Sequence, residues 1–119
     1  MPKYDKTWVF PCKLLRAVDG DTADLELDLG LRQYTRDRFR LLGIDTPERG
    51  RQGYQEAKDY LQSYFGKDLM VVTSKTGKYG RWLGVLYDTL ESESINDRII
   101  RLKYGVIYGQ DFPIPRKKE

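Results

Sequence analysis

The chain has 119 residues, 39% hydrophobic and 33% charged, which is enough for one globular domain and too little for two. Its 21 lysines and arginines against 18 acids leave a net charge of only +3, a weak pull on polyanions, and the interspersed signs argue against disorder. It has no histidine and one cysteine, Cys12, which excludes histidine-based triads, histidine-ligated zinc, paired-histidine ribonuclease chemistry, an internal disulfide and any cysteine-based metal cluster.

The pattern from Val9 to Val18 is apolar with polar interruptions and predicts a first strand. Asp19-Gly20-Asp21 is a turn signal. Ala23, Leu25, Leu27 and Leu29 then alternate with Asp24, Glu26 and Asp28, the period of a half-buried strand, and Gly30 closes a hairpin. A third strand runs from about Tyr34 to Ile44, with Phe39 and Leu41 on one face and Arg36, Arg38 and Arg40 on the other. Gly50 to Gly53 is loop. Ala57, Tyr60, Leu61, Tyr64 and Phe65 recur at helical spacing after Tyr54, with Gly66 as the expected C-terminal cap. Leu69 to Thr73 and Arg81 to Tyr87 read as strands four and five, around a basic loop from Thr76 to Gly80. Ser94 is the expected N-cap of a second helix whose buried stripe is Ile95, Ile99 and Leu102, ended by Gly105. The tail from about Gln110 is expected to be loose.

Three strands, a helix, two strands and a helix do not alternate as a doubly wound sheet requires; they suit a small closed barrel. A single domain over residues 1–119 is expected. No segment is long and apolar enough to cross a membrane, and Met1 to Lys6 lacks the apolar run of a secretory leader, so the cytoplasm is the default expectation.

Two acidic turns bear on function. Asp21 and Asp45 each sit where a strand gives way to a loop, so a rigid element aims the carboxylate. Two carboxylates with neighbouring carbonyls suit a hard, oxygen-seeking cation, and without one they are expected to repel each other. Taken singly, each is better explained structurally, Asp21 as a turn aspartate and Asp45 as a cap or turn before Pro47. Glu48, three residues after Asp45, is placed to accept a proton from water, or is a solvated loop acid. Arg40 and Arg81 are able to converge on one phosphate, or are exposed barrel charges.

The segments Val18-Asp19-Gly20-Asp21-Thr22, Phe39-Arg40-Leu41-Leu42-Gly43-Ile44-Asp45-Thr46-Pro47-Glu48 and Lys78-Tyr79-Gly80-Arg81 occur in this order. Together they resemble the three signature blocks of the staphylococcal nuclease (thermonuclease) family. Gly53 with Glu56-Ala57 is similar to the start of the family's first helix, and Asn96 with residues 102–108 to its second helix and following turn. The resemblance runs from about Arg16 to Tyr108. The chain departs from the type enzyme in the spacing of the first-helix glycine, in a short loop after Glu48, and in ending soon after Tyr108, where the type enzyme has a third helix.

The resemblance implies an α+β, mainly β, fold: a five-stranded OB-fold barrel with two packed helices. It implies calcium (Ca2+) held by Asp21, Asp45 and the Thr46 carbonyl. It implies that Glu48 orients or deprotonates the attacking water, that Arg40 and Arg81 grip the phosphate, and that Lys78 and Tyr79 contact an adjacent phosphate. Tyr108 would serve as a sugar or base platform. The expected activity is calcium-dependent nuclease hydrolysis of DNA and RNA that leaves 3′-phosphate ends, by a monomer whose partner is nucleic acid and not a membrane. The alternative is a catalytically weak nucleic-acid-binding module on the same fold.

Overall fold

The computed structural model describes residues 8–74 and 82–108. Strands β1 (Trp8–Asp19), β2 (Thr22–Gly30) and β3 (Gln33–Leu41) pair in sequence as an antiparallel meander. A two-residue strand β4 (Ile44–Asp45) and helix α1 (Tyr54–Gln62) follow. Strands β5 (Leu69–Ser74) and β6 (Trp82–Tyr87), helix α2 (Ile95–Arg101) and a two-residue β7 (Val106–Ile107) complete the order. The barrel closes in the order β1-β2-β3-β6-β5, with β5 antiparallel to β1 and β6 parallel to β3. A closed mixed barrel of five strands with two helices is the OB-like α+β fold that the element order implied.

Alternation decides which side of each strand faces inward. Ala23, Leu25 and Leu27 of β2 are buried, while Asp24, Glu26 and Asp28 face out. They meet Phe39 and Leu41 of β3, Leu14 of β1, Val71 of β5 and Leu86 of β6 in one core, capped by Leu61 of α1 and by Ile95 and Ile99 of α2. Cys12 belongs to this core, and burial pushes its thiol up to about 12, out of reach of reaction near neutral pH. Register shifts near Arg16 and Val18 bend β1 as it approaches the β1–β2 turn.

The outward arginines of β3 do not all stay free. Arg38 donates to Asp24 and Arg36 to Glu26, and the Arg38 hydrogen bond holds the Asp24 carboxyl below its ordinary range. Tyr60 of α1 and Tyr64, two residues past its end, share a hydroxyl hydrogen bond of 2.8 Å, Tyr60 stacks on Tyr104, and Arg98 of α2 donates to the Tyr64 hydroxyl. Arg98 is also held by Asp88, so the two helices are tied to each other and to the end of β6.

Four details differ from the sequence reading. The third strand stops at Leu41 rather than continuing to Ile44, because Gly43 takes a positive φ of 83° and turns the chain into β4, which pairs with β7. Helix α1 ends at Gln62, so Phe65 is exposed rather than part of the buried stripe; shorter turns continue from there to Gly66. Leu102 is the C-cap of α2 and is exposed. Gly105 is not the cap: Lys103 takes the left-handed position, with φ 68°, while Lys103 N–H donates to Ile100 O and Tyr104 N–H to Ile99 O. These are the two bonds of a Schellman motif with lysine where glycine is usual. The expected fifth strand began at Arg81, which lies outside the described residues, as does the tail from Gln110.

The β2–β3 hairpin turns through Leu31 (φ 56°) and Arg32 (φ 64°), both left-handed, as a two-residue loop of this hand requires. Neither residue is suited to that region, and Leu31 is 94% exposed, so its side chain gains no burial in return. Replacing the pair by Asn-Gly is expected to stabilise the protein by about 1 kcal/mol. Urea unfolding would check this; an unchanged or lower midpoint contradicts the strain.

Candidate active site

Asp21 leaves the tight turn between β1 and β2. Gly20 makes the turn possible by close packing rather than by an unusual φ: a Cβ there would stand 2.6 Å from Ala57 Cβ and 2.9 Å from Thr46 Oγ1. The Asp21 carbonyl accepts from Leu41 N–H at 2.8 Å, which fastens the turn to the end of β3. Its carboxylate is nearly buried. Oδ1 accepts from the Thr22 hydroxyl at 3.1 Å and Oδ2 from Thr46 N–H at 3.0 Å.

Asp45 reaches the same place from β4. Its backbone pairs with Val106, and Tyr108 N–H donates to Gly43 O at 2.8 Å, so the short β4–β7 ladder lies beside the barrel. Gly105 permits this approach, since a Cβ there would stand 2.6 Å from Asp45 O. Asn96 of α2 fixes the end of β3 from the other side. It donates to Leu42 O at 2.9 Å and Gly84 O at 3.2 Å, and accepts from Leu86 N–H at 3.1 Å.

Arg40 joins the two acids. Its side chain is only 16% exposed; Nη1 lies 3.2 Å from Asp21 Oδ2 and Nη2 2.6 Å from Asp45 Oδ1. The expected repulsion between the carboxylates is therefore answered within the chain, by a guanidinium held between them. The Tyr108 ring, 67% exposed, has its centre 5.8 Å from the Arg40 guanidinium carbon.

Thus Asp21, Arg40, Asp45 and Thr46 come together, with Tyr108 beside them. Glu48 sits on an exposed turn, and its carboxylate makes no hydrogen bond or ion pair with this cluster among the described residues. Lys78, Tyr79 and Arg81 lie outside the described residues; the described residue that follows them, Trp82, pairs with Phe39, and Leu83 pairs with Arg40. Sequence reasoning missed the parts of Thr22 and Gly105. A Thr after Asp-Gly-Asp is a readable hydrogen-bond donor, but a close-approach glycine is legible only once its neighbours in space are known.

The donors suit a hard cation. All are oxygens, and both carboxylates already converge on one positive group. No group of three or more histidine, cysteine or acidic side chains able to hold a metal occurs among the described residues. An ion here would complete its shell with backbone carbonyls and water, as calcium readily does.

The chain is similar to known proteins. The profile of the family described as staphylococcal nuclease homologue matches residues 38–118. The chain is 35% identical over 83 residues to a micrococcal nuclease of Shigella flexneri, covering 69% of this chain and 45% of that protein. It is 32% identical over 83 residues to protein ParB of Escherichia coli, covering 69% and 44%. It is 28% identical over 99 residues to an uncharacterized endonuclease of Escherichia coli O157:H7, covering 82% and 61%. The chain therefore spans about half the length of the first two and less than two thirds of the third.

Removing Arg40 leaves two closely held, poorly solvated carboxylates without their counter-charge. Arg40→Ala is expected to lower stability by about 3 kcal/mol, the scale for breaking a buried pair. Calcium is expected to raise the melting temperature of this variant more than that of the unsubstituted protein, by binding the freed acids in the folded state alone. Thermal unfolding with calcium and with chelator checks both; equal calcium shifts would show that Arg40 does not guard the acids.

Proposed function

The chain belongs to the staphylococcal nuclease family, and on that premise we propose that it is a calcium-dependent nuclease that hydrolyses DNA and RNA to 3′-phosphate ends. The observation that supports this most is Arg40 held between Asp21 and Asp45, a guanidinium and two hard anionic ligands at one point on the barrel surface. Calcium, when bound by Asp21, Asp45 and the Thr46 carbonyl, supplies Lewis-acid neutralisation of the phosphodiester charge.

The chain's own residues do the rest. Asp21 and Asp45 are fixed before substrate arrives, through Thr22, Thr46 and the β4–β7 ladder. Arg40 needs only to turn from a carboxylate to a phosphate oxygen, and Arg81 is the second guanidinium in this reading. Both gain strength as the phosphorus takes on a fifth oxygen and more negative charge. Glu48 accepts the proton of the attacking water; the water oxygen bonds to phosphorus as the bond to the 5′ oxygen breaks, and that oxygen takes a proton from solvent to leave as a 5′-hydroxyl, with the phosphate on the 3′ end. Lys78 and Tyr79 hold a neighbouring phosphate, and Tyr108 supports a sugar or base. The working unit is a monomer.

The test is cleavage of single-stranded DNA with calcium and with chelator, followed by single-turnover rates and dissociation constants. Cleavage with calcium alone is expected. Arg40→Ala and Arg81→Ala are each expected to slow turnover about a hundredfold or more, at temperatures where the variant is folded. Glu48→Gln is expected to slow it by about a hundred- to ten-thousandfold while binding persists. Lys78→Ala should act on affinity and its salt dependence instead. Tight binding by the unsubstituted protein with no cleavage in calcium would replace this reading by the nucleic-acid-binding module.

A further inference from the structure

Cations on the described surface fall into two kinds. Lys13, Arg16, Arg36, Arg38, Arg40, Arg98 and Arg101 are each ion-paired with an acid. Arg32, Arg49, Arg51, Lys58, Lys67 and Lys103 have no ion pair among the described residues, and three of them, Arg49, Arg51 and Lys58, lie within ten positions of one another, directly after Glu48.

Their backbone is well fixed. Arg51 N–H donates to Glu48 O at 2.9 Å, Tyr54 N–H to Arg51 O at 3.1 Å and Ala57 N–H to Gly53 O at 3.1 Å. Consecutive turns thus carry the chain from Glu48 into α1, with Gly50 and Gly53 at positive φ. The Tyr54 ring is the hub. The Arg49 guanidinium carbon lies 6.0 Å and the Lys58 Nζ 5.9 Å from its centre, so the two charges share one patch. The Tyr54 hydroxyl donates to Asp19 Oδ1 at 2.9 Å, and this bond raises the hydroxyl's pKa above its ordinary value. Asp19 opens the turn that carries Asp21. The patch is therefore tied to the same end of the barrel as Asp21 and Asp45. The acids on the patch's own segment, Glu48 and Glu56, are exposed and make no ion pair with it among the described residues.

We propose that Arg49, Arg51 and Lys58 form a phosphate-binding surface for the stretch of a single nucleic-acid strand that extends past Glu48, beyond the phosphate being cleaved. The proposal rests on the nuclease reading for its substrate. Rigid turns present unpaired guanidinium groups with little left to order, and phosphates take such donors two at a time. The contacts are to the backbone, so they confer preference for longer strands rather than for sequence.

The test uses a single-stranded DNA of about twelve nucleotides, a length within the usual reach of a barrel of this type. The protein carrying Arg49→Ala, Arg51→Ala and Lys58→Ala together is compared with the unsubstituted protein and with Arg32→Ala, a cation on the distant β2–β3 turn. Three lost phosphate contacts lower the slope of log affinity against log salt by about two, so the deficit grows about fourfold for each halving of salt. The loss should fall more on KM than on kcat, and Arg32→Ala should keep the unsubstituted slope. A triple variant with the slope and affinity of the unsubstituted protein overturns the proposal. Cleavage of a small diester, bis(4-nitrophenyl) phosphate, by the unsubstituted protein reports on the nuclease reading separately. If the unsubstituted protein cleaves neither substrate while the triple variant still loses slope, the surface stands and the nuclease reading falls.

Discussion

Two ionised carboxylates held close together at a barrel's edge repel each other unless a positive charge stands between them. In this protein Arg40 meets that constraint, paired with Asp21 from the β1–β2 turn and Asp45 from β4. The contact has a structural consequence as well as a chemical one. It ties three separate parts of the chain at a point where the barrel sheet ends and the short β4–β7 ladder begins. It also keeps the acids at a separation that one cation spans.

The surrounding structure serves this geometry. Gly20 lets α1 and Thr46 press against the Asp21 turn, and Gly105 lets β7 approach the backbone of Asp45. Asn96 joins the chain just past β3 to β6, donating to Leu42 O and to Gly84 O, which also accepts from Leu42 N–H. The Thr46 hydroxyl, buried and without a hydrogen-bond partner among the described residues, shows how tightly this junction is packed. Tight packing is what gives a carboxylate a fixed direction rather than a range of rotamers.

Much of the fold was legible because the signals are local. Alternation in Ala23–Leu27 set β2 and its buried face, although Leu29, the last of the alternating run, is exposed, and helical spacing of Ala57 and Leu61 set the inward face of α1. Ser94 reads as an N-cap and is one, accepting from Asp97 N–H at 3.0 Å. What failed was decided by contacts distant in sequence. The break at Gly43 follows from pairing with residues 106–107, and Gly105 is reserved for close approach to Asp45, so Lys103 takes the left-handed cap. The site was legible as a set of residue types in order. That Arg40 stands between the acids follows from the β4–β7 ladder, which no local pattern announces. Arg81, Lys78 and Tyr79 rest on the sequence alone.

A double-mutant cycle across Arg40 and Asp45 tests the central interaction most directly. Arg40→Met, Asp45→Asn and the double variant are unfolded in urea without added metal, and the coupling energy is taken from the four stabilities. A half-buried, charge-assisted contact predicts a coupling of about 1–3 kcal/mol, above the range of exposed pairs. Substitutions that add to within about 0.3 kcal/mol would contradict the claim that Arg40 is the internal counter-charge on which the site depends.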